Sequence, residues 1–316
     1  MSAGGGKKAI FAALSANAGI AVAKFAGAFI TGSGSMLAEA VHSIADTGNQ
    51  GLLLLGQKQA DHEPDSLHPF GYSRNRYFYS FIVALVLFSL GSMYAIYEGV
   101  HKIGHPEELT SPIVAIAILA IAAALEGYSF ATAWKESAAL REGISWWRFI
   151  RNTRSPELPV VMLEDTGALI GLLIALIAVV LTIITDDPIW DGIGTLGIGV
   201  LLGAIAIVLI VEMKSLLIGE GATPAQNEAI RTNLVDNERI SRVIHLRTEY
   251  LGPEEMLVAA KVAIVPGLQI ADIAAAIDDA EARVRGSVPI AKVIYIEPDL
   301  YRTSAAADSA AGRGAQ

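Results

Sequence analysis

The stretch ALIGLLIALIAVVLTII, residues 168–184, carries no charged side chain. A run of that kind suits a lipid bilayer, whose hydrocarbon core needs about 20 mainly apolar residues per crossing helix. Other segments approach the same pattern, so the sequence predicts six membrane-spanning helices, near 9–31, 35–57, 77–100, 112–134, 158–184 and 190–213. The separators TGSGS, ADHEPDSLHPFGYSRN, GHPEELT, a basic stretch over 135–157 and TDDP read as loops. Charged residues make up 17% of the chain, against about 25% in soluble proteins. The deficit falls in the first two-thirds, as an integral membrane protein requires.

The apolar run after Lys7 and Lys8 is too long for a signal-peptide core and lacks a cleavage site, so no cleavable leader is expected. The chain has no cysteine, which excludes disulfides and thiolate metal sites. Its net charge of -9 argues against nucleic acid as a partner. Basic residues also set the orientation. Lys7, Lys8, Lys58, Arg74, Arg76, Lys135, Arg141, Arg148, Arg151, Arg154 and Lys214 cluster on one side, and the opposite loops hold Lys102 alone. By the positive-inside rule both termini face the cytoplasm, and a bacterial inner membrane is the expected location.

After Gly219 the character changes. TPAQNEAIRTNLVDN reads as a helix with Thr223 as N-cap and Pro224 at the first helical position. SRVIHLRTEYL and EEMLVAAKVAIV read as strands joined by a turn at LGPEE; a helix closed by Gly286 and a last strand, AKVIYIEP, follow. The expected fold is therefore an α-helical membrane protein, a six-helix transmembrane bundle over 1–218. A small α+β cytoplasmic domain (αββαβ, ferredoxin- or metallochaperone-like) follows over 219–300, and a disordered tail over 301–316.

Polar groups inside the apolar segments are few: Asn17 and Lys24 in the first; Glu39, His42, Asp46 and Asn49 in the second; Glu98 in the third; Glu126 in the fourth. Glu164 and Asp165 lie in the fifth, Asp191 and Glu212 in the sixth. An ionisable group near mid-bilayer costs roughly 2.5–3.5 kcal/mol even on the lenient insertion scale. Lys24, Glu98, Asp191 and Glu212 are near enough to helix ends to snorkel. His42 and Asp46, four residues apart, share one helix face and form a two-pronged clip for a cation. The same spacing also suits a pair bonded only to each other within a packed bundle. Glu164 and Asp165, on a separate helix toward the same side, favour the clip, because carboxylates brought together need a shared counter-charge. A divalent cation, or protons in its place, supplies one. Imidazole and carboxylate suit zinc or another first-row divalent ion, and the lack of sulfur argues against copper(I).

On these residues the chain resembles the cation diffusion facilitators: six helices with both ends inside, His-x-x-x-Asp on the second, Asp on the fifth, HPFGYSRNR, and the αββαβ domain. AEAVHSIADTGNQGLL, HPFGYSRNRY, LEDTGALIG and GTLGIGVLLG resemble more closely the branch that contains the animal mitochondrial zinc transporter. The resemblance implies a homodimeric, proton-coupled exporter of divalent metal, working by alternating access, with no organic cofactor. Zinc is the implied transported ion, with manganese, iron or cobalt as alternatives, and His42, Asp46 and Asp165 are the implied ligands. One departure stands out. Where many members have His four residues before the fifth-helix Asp, this chain has Val161. Glu164, Glu39 or a water molecule are the candidates for the fourth position.

Relatives can carry an accessory metal site in the second loop, which Asp65 and His68 match, with Asp61 and His62 as further candidates; a turn ordered by Pro64 and Pro69 is the alternative. His101 and His105 read as solvated. In the cytoplasmic domain only His245 and Glu297 resemble the zinc ligands of relatives. Lys261 and Tyr295 replace expected histidines, so dimerisation is expected there rather than metal sensing. Glu126 is a candidate proton relay or a partner for Lys24. Two rivals follow from the same residues. One is a transport-inactive membrane scaffold that displays its cytoplasmic domain. The other is an intramembrane metalloenzyme, disfavoured because there is no HExxH and no nucleophile paired with a base.

Overall fold

The computed structural model describes residues 18–140, 145, 146, 154 and 157–301. The expectations for Asn17 and for the tail after Tyr301 lie outside the described residues. The chain divides into two compact units, the first ending at Leu217 and the second beginning at Ile218.

In the first unit α1 spans Ala18–Thr31, α2 Gly34–Ala60, α3 Asn75–Gly104, α4 Pro112–Leu140, α5 Glu157–Thr185 and α6 Ile189–Ile218. Among the described residues, α3, the Met162–Thr185 part of α5, and α6 are long and apolar enough to cross a membrane. The apolar parts of α1 and α4, Ala18–Thr31 and Pro112–Tyr128, are shorter. Helix α2 has the length but carries the polar groups that interrupt its hydropathy.

The turn from α1 to α2 takes two residues. Gly32 adopts a left-handed φ of 68° and its N–H closes onto Ala28 O at 2.8 Å, the usual glycine exit from a helix. Ser33 then caps α2, its hydroxyl accepting from Met36 N at 3.2 Å. Helix α3 contains a π-helical stretch, Val83–Phe88. Helices α3 and α6 pack backbone to backbone. A Cβ at Gly99 would lie 2.5 Å from Leu196 N, and one at Gly199 would lie 2.7 Å from Ile96 N. Ser92 Oγ donates to Gly199 O at 2.7 Å across the same seam. Small residues are what let helices approach this closely where lipid removes the hydrophobic drive for association. The GTLGIGVLLG stretch is thus a packing surface. Buried Met36, Leu119, Leu172, Leu202, Leu209 and Met213 join four of the helices in one core.

The second unit runs α7 (Pro224–Leu234), β1 (Ile240–Gly252), β2 (Glu255–Ile264), α8 (Ile270–Ser287) and β3 (Val293–Asp299). Thr223 caps α7 as the sequence predicts, its hydroxyl accepting from Gln226 N while Gln226 Oε1 accepts from Thr223 N. The sheet order is β1-β2-β3, with β1 and β2 antiparallel and β2 and β3 parallel. A two-residue turn suffices for the first connection, whereas the parallel one needs the α8 crossover. Strand β2 alternates. Met256, Val258, Ala260 and Val262 are buried in one cluster with Ile230 and Leu234 of α7 and Ala276, Ala280 and Val284 of α8. Gly286 does not close α8, which runs on to Ser287 with Val288 N bonded to Val284 O at 2.8 Å. A glycine ends a helix only where it turns left-handed, and this one does not.

Candidate metal centre

Helix α2 carries Glu39, His42, Asp46 and Asn49 at steps of three, four and three, so all lie along one face, and all are buried. His42 Nδ1 stands 3.4 Å from Asp46 Oδ1. Helix α5 meets this face at Gly171, where any side chain would run into the Glu39 carboxylate. Glu164 precedes Gly171 by two turns on the same side of α5, is itself buried, and lies against Asp46 and Asn49. Glycine at 171 is therefore what allows α5 to bring its acidic pair to the α2 face.

Asp165, next along α5, points about 100° away from Glu164 and is only partly buried. Glu126 of α4 lies within electrostatic reach of Glu39, Asp46, Glu164 and Asp165. Of the predicted ligands, His42 meets Asp46 on α2 and Glu164 of α5 meets Asp46. Among the described residues no three His, Asp or Glu side chains converge closely enough to hold a metal ion. Carboxylates repel one another, and drawing Asp165 in beside Asp46 and Glu164 requires positive charge between them. Glu39 Oε1, Asp46 Oδ1, both amide atoms of Asn49, and Asp165 Oδ2 are buried without a hydrogen-bond partner among the described residues. Each such atom costs about 1–3 kcal/mol, and they are concentrated on α2 and α5.

Two polar groups expected to snorkel do not. Lys24 is 1% exposed and donates to Glu39 Oε2 at 3.3 Å and Ser43 Oγ at 2.7 Å. Its ion pair is with Glu39 rather than Glu126, because the carboxylate facing it across α1 and α2 outweighs a reach for water. Asp191 is also 1% exposed. It accepts from Ser33 Oγ at 2.7 Å, Gly34 N at 2.7 Å, Ser35 N at 3.3 Å, Ser35 Oγ at 2.5 Å and Lys102 Nζ at 3.2 Å. TGSGS, read as a plain loop, is therefore an anion cradle at the start of α2, and Lys102, counted as a loop charge, is buried and also donates to Gly32 O. Glu98 and Glu212 are partly buried. The side chain of Val161 lies outside the described residues.

In the loop after α2, Asp65 Oδ1 accepts from Leu67 N at 2.9 Å and His68 N at 2.7 Å, and its Oδ2 accepts from Tyr72 Oη at 2.7 Å. The Tyr72 hydroxyl and these amides hold the Asp65 carboxyl below its ordinary range. His68 Nδ1 stands 3.6 Å from Asp65 Oδ1, Asp61 and His62 are exposed, and the loop is an aspartate-ordered turn. His101 and His105, both exposed, stack with ring centroids 5.1 Å apart. In the second unit Lys261 Nζ takes Glu297 Oε1 at 2.8 Å and Asp299 Oδ2 at 3.1 Å. His245 pairs with Lys261 in the strand register, and Tyr295 is exposed. The positive charge at Glu297 is the lysine's own.

Residues 10–218 match the cation efflux transmembrane domain. Among relatives, the human "Proton-coupled zinc antiporter SLC30A9, mitochondrial" is 38% identical over 224 residues, 70% of this chain and 39% of the relative. "Metal tolerance protein C4" of Arabidopsis thaliana is 32% identical over 249 residues, 78% of this chain and 54% of the relative. "Magnetosome protein MamB" of Magnetospira sp. (strain QH-2) is 25% identical over 232 residues, 71% of this chain and 72% of the relative. The matched region thus spans well under half the length of the human antiporter.

Proposed function

The chain belongs to the cation efflux family, a family of membrane transporters and not of enzymes, and from that premise we propose that it exports zinc in exchange for protons. The observation that carries the proposal is the set of buried atoms on Asp46, Asn49 and Asp165 that have no hydrogen-bond partner among the described residues. A scaffold has no use for them, whereas a cation passing between α2 and α5 satisfies them in transit.

His42 and Asp46 grip the ion from α2, and Asp165 and Glu164 close on it from α5. His42 must be neutral and the carboxylates ionised to bind, so arrival of the metal releases protons and arrival of protons releases the metal. Exposing the pair of helices to one side and then the other lets a proton gradient drive metal outward. Glu126, beside the carboxylates, relays protons. With one imidazole among carboxylates the site accepts zinc and leaves room for manganese, iron or cobalt. We assign the chain six membrane spans with both termini cytoplasmic, in a bacterial inner membrane. The domain over 219–300 joins two copies into a homodimer, and the Asp65 and His68 turn is an accessory metal contact.

Zinc uptake into proteoliposomes holding the purified chain, under an imposed pH gradient, tests the reading. Gradient-dependent zinc entry with matching proton exit is expected. Zinc flux equal to that of empty liposomes would overturn it.

A further inference from the structure

Lys24 is a fixed positive charge set beside a site meant for a positive ion, and the metal-binding scheme gives it no task. Its ammonium lies between α1 and α2, 3.3 Å from Glu39 Oε2 and 2.7 Å from Ser43 Oγ. Lys24 and Glu39 are 1% and 0% exposed, so neither charge has water to share. The other carboxylate oxygen, Glu39 Oε1, has no hydrogen-bond partner among the described residues and sits over Gly171 of α5. Glu39 lies one turn before His42 on the same face of α2. Sequence spacing alone leaves it a candidate ligand beside Glu164. The structure separates the two, because Glu164 faces Asp46 while Glu39 faces a lysine.

Resting on the proposed transport function, we infer that Lys24 is a tethered cation that withholds Glu39 from the transported metal and so sets which ion the site prefers. An ion arriving at His42 and Asp46 meets one α2 carboxylate instead of two. Every added carboxylate shifts a mixed site toward hard ions such as manganese, and imidazole shifts it toward zinc. In this chain Val161 leaves the site with a single imidazole, so a second α2 carboxylate would tip the balance further. A second net negative charge would also hold a divalent ion too long for release. Lys24 extends its charge to His42 and Asp46 as well as Glu39. It acts through Glu39 and is a positioning residue.

The test compares the wild type with Lys24→Met, Glu39→Gln and the double variant, each purified full length and reconstituted in nanodiscs and proteoliposomes. Calorimetric titration with zinc and with manganese gives the affinity ratio, and uptake gives turnover. Lys24→Met is expected to move the ratio toward manganese on the order of tenfold, with slower turnover. The double variant is expected to return the ratio to the wild-type value, which a merely structural role for Lys24 would not do. Glu39→Gln keeps the question open to refutation even if Lys24→Met does not fold, since it must cost much less metal affinity than Asp46→Asn. Glu39→Gln as damaging as Asp46→Asn, or an unchanged ratio in folded Lys24→Met, would overturn the inference while leaving transport intact. Absence of metal flux in the wild type would instead overturn the transport reading and this inference with it.

Discussion

Lys102 Nζ lies 3.2 Å from Asp191 Oδ2, with both side chains out of solvent at 8% and 1% exposure. The pair links the end of α3 to the start of α6, and the same carboxylate collects the Ser33 and Ser35 hydroxyls and the first amides of α2. A buried charge pair adds little to stability over apolar packing, but stripping one partner strands the other. Asp191→Ala is therefore expected to cost about 3–5 kcal/mol and to lower the thermal unfolding midpoint in detergent. Lys102→Met combined with Asp191→Ala should recover part of the loss. A double variant less stable than the single would refute the stranded-charge explanation.

Asp46→Asn and Asp165→Asn each remove a charge that the proposed transport site uses and conserve volume. Both are expected to abolish zinc flux and leave a folded protein. His42→Ala should fail likewise, while His42→Asp should favour manganese over zinc, as hard oxygen replaces imidazole. Flux assays on the purified variants, with melting curves to establish folding, decide the matter. Wild-type flux in either Asn variant would remove the proposed site.

Lys261 already neutralises Glu297 at 2.8 Å and Asp299 at 3.1 Å, and these carboxylates hold the lysine's pKa above its ordinary range. The isolated unit 219–300 should consequently dimerise weakly and bind zinc no better than micromolar. Calorimetry showing tight, stoichiometric zinc binding would contradict this.

Asp236 has a titration of its own. Burial raises its carboxyl, but the amides of Ile240 at 2.8 Å, Arg239 at 2.8 Å and Glu238 at 3.1 Å outweigh it and hold the pKa below the ordinary 3.8. A depressed carboxyl contributes stability that is complete above its unfolded value and lost as pH falls through the folded one. Denaturant melts of the same unit should thus show a stability loss below about pH 4 that is smaller in Asp236→Ala. Equal pH dependence in the two proteins would show that these amides contribute nothing.

What could be read from the chain depended on how local its cause was. The α7 cap rests on Thr223, Pro224 and Gln226 within one turn, and the β1–β2 turn on Pro253 and Glu254; both were legible. The shared face of Glu39, His42, Asp46 and Asn49 followed from helical spacing alone. The fates of Lys24 and Asp191 did not. Both stand near helix ends, where snorkelling is the usual answer, and the partners that bury them lie far along the chain, up to 158 residues away for Asp191 and Ser33. Glu39 and Glu164 were both candidates for the fourth position, and the contact of each with another helix separates them.

Val161 carries the last prediction. It precedes Asp165 by four residues, one helical turn, along α5, at the position where the family resemblance implies an imidazole. Histidine there would complete a site of two imidazoles and two carboxylates, a tetrahedral set that zinc accepts readily. Val161→His is therefore expected to tighten zinc binding relative to manganese, since imidazole favours the softer ion, and to slow turnover, since a tighter site releases its cargo later. Glu164 supplies the contrast. It lies against Asp46 and Asn49, so if it already fills the fourth position, Val161→His changes little and Glu164→Gln is as damaging as Asp165→Asn. Competition between zinc and manganese, measured on both variants, separates these outcomes. Unchanged selectivity and activity in both would mean that neither position meets the ion, and that the α5 half of the site is Asp165 alone.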